Sequence, residues 1–186
     1  MRGAIHQFVP AGRRVDVHLD DAGIRGHAEA VEAVPELSPL GIRAFTTTRH
    51  VGTFSVASHE PSASVSERWS ALRKALGSDD APARLATASQ VHGKRILLHV
   101  PGWAGWLRGD SADGHVVMQR GTGVAVTVAD CVPVLVAHGS GGIALLHSGW
   151  RGTVARIAEE GVALLVAHGI SAADLHVHLG PAICGN

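Results

Sequence analysis

His92, Cys131 and His147 are the residues of this sequence whose types could together hold a metal ion. Imidazole nitrogen and thiolate sulfur are donors that zinc accepts in tetrahedral geometry, and a catalytic zinc takes three protein ligands, leaving its fourth position to water or substrate. Each candidate sits at a strand edge or turn flanked by Gly or Pro: His92-Gly93, Cys131-Val132-Pro133 and His147-Ser148-Gly149. Such settings suit a side chain aimed into a cleft. Spacing alone leaves the matter open, because there is no compact two-Cys or two-His motif; a buried free thiol and two solvent-touching histidines are the other reading. The neighbouring polar groups have two readings each. Asp130 could orient a ligand histidine, act as a general base or cap its turn. Arg151, ahead of a helix, and Arg49, after a threonine run, could hold a phosphate or carboxylate or be surface arginines. Gln90 could hydrogen-bond a purine edge or simply the backbone.

Bringing such residues together requires strands that end near one another. Ile42 to Thr48 is rich in β-formers and ends at Arg49, with a turn-like stretch from His50 to Ser55. Leu85 to Val91, after Pro82, is a strand that runs straight into His92. Gly121 to Asp130 and Cys131 to Ala137 are β-branched-rich runs meeting at Asp130-Cys131, and Ile143 to His147 follows the Gly139 to Gly142 turn. Three strands therefore converge on one region. Two helices complete the pattern. Ser64 and Glu67 fit a capping box ahead of Val65, Trp69, Leu72 and Leu76 at helical spacing, with Gly77 as the stop. Thr153 can cap a second helix carrying Val154, Ile157, Ala158, Val162 and Leu165 on one face until Gly169. Leu175 to Leu179 reads as one more strand, and Pro101 to Gly109 as a surface loop. Residues 1–40 form an N-terminal segment of unassigned role: Arg14 to Leu19 alternates like a short strand, and Val31 to Leu40 is interrupted by Pro35 and Pro39. The whole is an α/β pattern without repeats or a linker.

Composition sets the outer bounds. A chain of 186 residues, 46% of them hydrophobic, has the length and apolar content of one globular domain. Sixteen basic residues balance sixteen acidic ones, which gives no bulk charge for nucleic acid. There is no signal-like or membrane-spanning apolar run, so no membrane partner and a cytoplasmic location are expected. Two cysteines, Cys131 and Cys184, cannot build a disulfide framework. Thirteen histidines raise the chance of a metal site and, equally, of an accidental His–Cys proximity.

Six blocks carry a resemblance: Thr46-Thr47-Thr48-Arg49, Ser89-Gln90-Val91-His92-Gly93, Ala112-Asp113, Ala129-Asp130-Cys131-Val132-Pro133-Val134, His147-Ser148-Gly149-Trp150-Arg151-Gly152 and Gly180-Pro181-Ala182-Ile183-Cys184. In order and spacing they resemble the YfiH/YlmD/LACC1 family, once labelled multicopper polyphenol oxidoreductases or laccase-domain proteins, from about Gly41 onward. The resemblance implies a single-domain, mixed-sheet, sandwich-like α/β fold over residues 41–186, with zinc held by His92, Cys131 and His147. It implies phosphorolysis of purine nucleosides (adenosine, inosine, methylthioadenosine) with adenosine deamination, so that nucleosides and phosphate are the expected partners. In that chemistry His92 and Cys131 serve through the metal, Asp130 as a proton shuttle, and Arg49, Gln90 and Arg151 as substrate and phosphate contacts. An amidase that edits cell-wall precursors, and a zinc-binding member without turnover, are the alternatives. The older copper label fits least, since a multicopper centre needs several paired histidines and the chain offers His176-Val177-His178. Departures from the family pattern lie at His50-Val51-Gly52-Thr53, at Ala57 to Ala63, at Glu67-Arg68 and after Cys184, where members continue with a Tyr-Glu-Val segment.

Overall fold

A computed structural model of the chain describes residues 4–10, 31–76 and 84–183. The strands are β1 (Ala4–Pro10), β2 (Val31–Ala33), β3 (Ile42–Thr47), β4 (Arg84–Ala88), β5 (Ile96–His99), β6 (Trp106–Gly109), β7 (Gly114–Val117), β8 (Thr122–Val128), β9 (Val132–Ala137), β10 (Ile143–Ser148) and β11 (His176–Leu179). The helices are α1 (Ser62–Leu76), between β3 and β4, and α2 (Trp150–Val154) and α3 (Ile157–Ala167), between β10 and β11. Six strands form one mixed sheet in the order β2-β3-β1-β8-β4-β6, and five form a second in the order β11-β9-β10-β7-β5. Within the first, β4 runs parallel to β6 and β8; within the second, β5 runs parallel to β7, and the other pairs are antiparallel.

The period-2 rule of strands explains how the sheets stack. Val124, Val126 and Val128 of β8 point with Leu135, Ala137, Ile143 and Leu145 into a core between the two sheets. The opposite face of the first sheet points outward: Ala125 of β8 and Phe45 of β3 meet Val65, Trp69, Leu72 and Leu76 of α1. On the far side, Val134, Val136, Ala144 and Leu146 meet Ile157 and Leu165 of α3. The layers are thus helix, sheet, sheet, helix. Because β9 and β10 are covered on both faces, β9 and the first four residues of β10 read as unbroken apolar runs. No helix among the described residues is long and apolar enough to cross a membrane.

Several elements depart from expectation for identifiable reasons. Helix α1 begins at Ser62, because the Pro61 carbonyl already accepts from Val65 N at 3.3 Å, so Ser64 lies inside the first turn instead of capping it. The helix after Trp150 is two helices. Arg156 adopts a left-handed φ of 63° that breaks the ladder, Val154 is left 77% exposed, and Thr153 lies within α2 with its hydroxyl bonded to the Gly149 carbonyl at 3.0 Å. Trp106–Gly109, expected in a loop, pairs in parallel with β4, a partner about twenty residues away that local turn residues do not reveal. Its indole donates to Thr87 Oγ1 at 2.9 Å and stacks on Trp69 at 5.5 Å. Pro35–Leu40 is a 3₁₀ turn, ended by a left-handed Gly41, and β1 runs between β3 and β8, so the N-terminal part of the chain supplies strands to the first sheet. The expected strand at Arg14 to Leu19, the helix stop at Gly77 and Cys184 lie outside the described residues.

Candidate metal centre

Three chain segments meet at one end of the sandwich. After β4 the chain turns at His92, which holds a left-handed φ of 62°, a costly conformation for a residue with a Cβ. Cys131 occupies the turn where the chain crosses from β8 in one sheet to β9 in the other. His147 is the fifth residue of β10 and is buried, at 3% exposure, unlike the exposed His92. One donor atom from each of His92, Cys131 and His147 lies within 4.8 Å of the other two. Ligands about 2.0–2.3 Å from a tetrahedral ion stand roughly 3.3–3.8 Å apart, so a small inward rotation completes the set. The imidazoles face each other edge-on, with centroids 4.8 Å apart. Among the described residues this is the one cluster of three or more His, Cys, Asp or Glu with such geometry.

Asp113, at the turn into β7, had no individual role assigned from sequence. Its carboxylate is fully buried and accepts from His92 N and Gly93 N at 2.8 Å each and from Val91 N at 3.2 Å. The same carboxylate bonds His147 Nδ1 at 2.9 Å, and the Asp113 carbonyl accepts from His147 N at 2.7 Å. Nothing next to Asp113 in sequence announces this, since its partners lie about twenty residues before it and thirty-four after it.

The electrostatics fit a bound cation. Burial, then the charges of Asp130 and Asp113, push the Cys131 thiol above its usual range, a push that a bound cation would oppose. Burial pushes His147 down, against the upward pull of Asp113, which favours the neutral ring that metals bind. With Nδ1 engaged by Asp113, the Nε2 of His147 is the atom left for an ion. Gly149 keeps the space open: a Cβ there would stand 2.9 Å from Cys131 Sγ and 3.1 Å from His92 Cδ2. Donor types and mutual distances together make the trio a fitting metal site.

The remaining sequence candidates are less concentrated. Asp130 is exposed, and its carbonyl accepts from Ile183 N at 3.2 Å. Arg49 is exposed at the start of a 3₁₀ turn after β3. Arg151 lies within the five-residue α2, not ahead of a helix, and its guanidinium carbon is 5.2 Å from the ring centroid of Trp150, which is 72% exposed. Gln90 is spent on the backbone: its Nε2 donates to the Thr127 carbonyl and its Oε1 accepts from Thr127 N, both at 2.7 Å. Of its two readings, the backbone one accounts for both ends of the amide.

The chain is 35% identical over 127 residues to a purine nucleoside phosphorylase, ORF3, of Streptomyces griseus, covering 68% of this chain and 50% of that protein. It is 37% identical over 76 residues to adenosine deaminase RL5 from an unidentified prokaryote, covering 40% of this chain and 29% of that one. The chain therefore spans half or less of these curated relatives. Among solved structures, YlmD from Geobacillus stearothermophilus superposes with a TM-score of 0.60 at 28% identity, over 70% of this chain and 50% of that one. YfiH from Bacillus licheniformis gives 0.68 at 21% identity over 84% and 63%, which extends the likeness of fold. A family model described as multi-copper polyphenol oxidoreductase laccase matches residues 44–186, and the chain belongs to that family.

Proposed function

We propose that this chain is a zinc-dependent enzyme of purine nucleosides, cleaving adenosine, inosine or methylthioadenosine with phosphate and deaminating adenosine. The observation that carries the reading is the convergence of His92, Cys131 and His147 into one ligand set. The names of the similar Streptomyces and prokaryotic proteins supply the substrate class. Zinc held by these three side chains would supply a Lewis acid and a water of lowered pKa. Asp130, the exposed carboxylate beside Cys131, is the group assigned to taking and returning a proton. Arg49 and Arg151, both exposed, are the cations assigned to holding phosphate against the sugar. Gln90 contributes by locking the segment before His92 to β8. A multicopper oxidase would need further histidine clusters, and the described residues form a single ligand group.

The test is chromatography of adenosine incubated with the protein, with and without phosphate, beside a metal assay of the same sample. About one zinc per chain is expected, with adenine released only when phosphate is present and inosine formed without it. Cys131→Ala is expected to remove both the metal and the turnover. Zinc retained at full stoichiometry by that variant would refute the ligand set. Intact adenosine with zinc bound would refute the nucleoside reading and direct attention to an amide substrate or to binding without turnover.

A further inference from the structure

The Asp113 carboxylate is fully buried yet carries bonds from four donors drawn from two segments: the amides of Val91, His92 and Gly93, and the Nδ1 of His147. Three consecutive backbone N–H groups converging on one anion form a nest, and the middle residue of this nest is His92 with its left-handed φ of 62°. That conformation costs on its own and persists where surrounding contacts over-determine it. The bond from His147 Nδ1 to Oδ1, the same oxygen that accepts from His92 N, fixes a second geometry. A carboxylate is an acceptor only, so the proton of the His147 ring sits on Nδ1 and the lone pair on Nε2.

We infer that Asp113 is the positioning residue of the metal centre: one side chain that sets the backbone of His92 and the tautomer and ring orientation of His147, so that two of the three ligands are aimed before an ion arrives. This rests on the metal reading above and goes beyond the ligands themselves. The geometry is specific to a carboxylate. Asparagine has nearly the same shape, but its NH2 stands either in place of Oδ1, facing His92 N and His147 Nδ1, or in place of Oδ2, facing Gly93 N. Removing such an outer partner of a ligand histidine typically weakens metal binding by about 10- to 100-fold.

Two measurements decide it. In the first, cobalt(II) is titrated into the wild type and Asp113→Asn, following the thiolate-to-cobalt charge-transfer band that reports Cys131, with circular dichroism of each sample as the check on folding. The expected result is a band in both proteins, with the dissociation constant of a folded Asp113→Asn raised about 10- to 100-fold. An unchanged affinity in the folded variant overturns the proposal while leaving the metal reading intact. In the second, long-range nitrogen-15 spectra of the metal-free wild type report the His147 tautomer, which needs neither a variant nor an ion. Protonation at Nδ1 is expected, and a proton on Nε2 overturns the proposal even if Asp113→Asn fails to fold. A wild type without a cobalt band refutes the metal reading and, with it, the role of Asp113 in metal binding, whatever the tautomer.

Discussion

At Gly149 the backbone is ordinary, with φ −75° and ψ 172°, so glycine is not there for its conformational freedom. It is there for space. A methyl group would press on Cys131 Sγ at 2.9 Å and His92 Cδ2 at 3.1 Å, and both atoms belong to the ligand set. Gly149→Ala should therefore leave the circular dichroism spectrum unchanged and lower the bound metal to a small fraction of the wild-type stoichiometry. Full retention of metal would show that thiol and imidazole can shift aside together. Residue types with flanking Gly or Pro left the ligand trio as one of two readings, and the family blocks are what singled it out in the sequence; the structure brings its donor atoms within 4.8 Å of one another. Asp113 stood out only as part of a family motif, because its value comes from amides and an imidazole far away in the chain. Gln90 is the reverse case. An amide in a motif invites a ligand, yet both of its ends are satisfied by Thr127.

Between α2 and α3 the chain passes through Arg156 in the left-handed region, at φ 63°. A hydrophobic period sees side chains, not backbone handedness, so the sequence read as one continuous helix across this break. The strands β9 and β10 were legible for the opposite reason, since burial on both faces leaves a long apolar run. β5 and β7, at four residues each, are too short to show a period, and their pairing partners are remote. The break yields a stability prediction. A left-handed residue other than glycine costs roughly 1–2 kcal/mol. Against this, glycine returns roughly 0.4–1 kcal/mol of unfolded-chain freedom. The ion pair of Arg156 with Glu159 joins two side chains that are 73% and 67% exposed and counts for little. The balance favours glycine, so Arg156→Gly should raise the thermal midpoint by up to about 2–4 °C. A lower midpoint in scanning calorimetry would mean that this arginine holds the helix junction in place. Helix α3 should be less forgiving at Leu165, which is fully buried under the second sheet. Leu165→Ala is expected to cost about 2–5 kcal/mol by denaturant titration.

On the scale of the whole molecule, the buried pair His99 and His115, with Nε2 and Nδ1 2.9 Å apart, ties the stability of the fold to pH. Burial, reinforced by the neighbouring His99, pushes His115 down to about 3 from its ordinary 6.5, and burial also lowers His99. In this window the unfolded chain takes up protons that the folded chain refuses. Stability is therefore complete above about pH 6.5 and declines as pH falls from 6.5 toward 3. His147 adds a contribution of the same sign. Urea titrations of metal-free protein at pH 7.5 and 5 should show the loss, and His115→Gln, which cannot titrate, should show a smaller one. Equal slopes in the two proteins would mean that His115 is not buried neutral. The arrangement of the sheets has one more result. His92 follows a strand of the first sheet, Cys131 stands at the crossing, and His147 belongs to the second, so an ion shared by all three is a removable staple between layers. Far apart in the chain, these residues would be clipped together as by a reversible disulfide, and a chelator should first be felt as faster amide exchange along that seam.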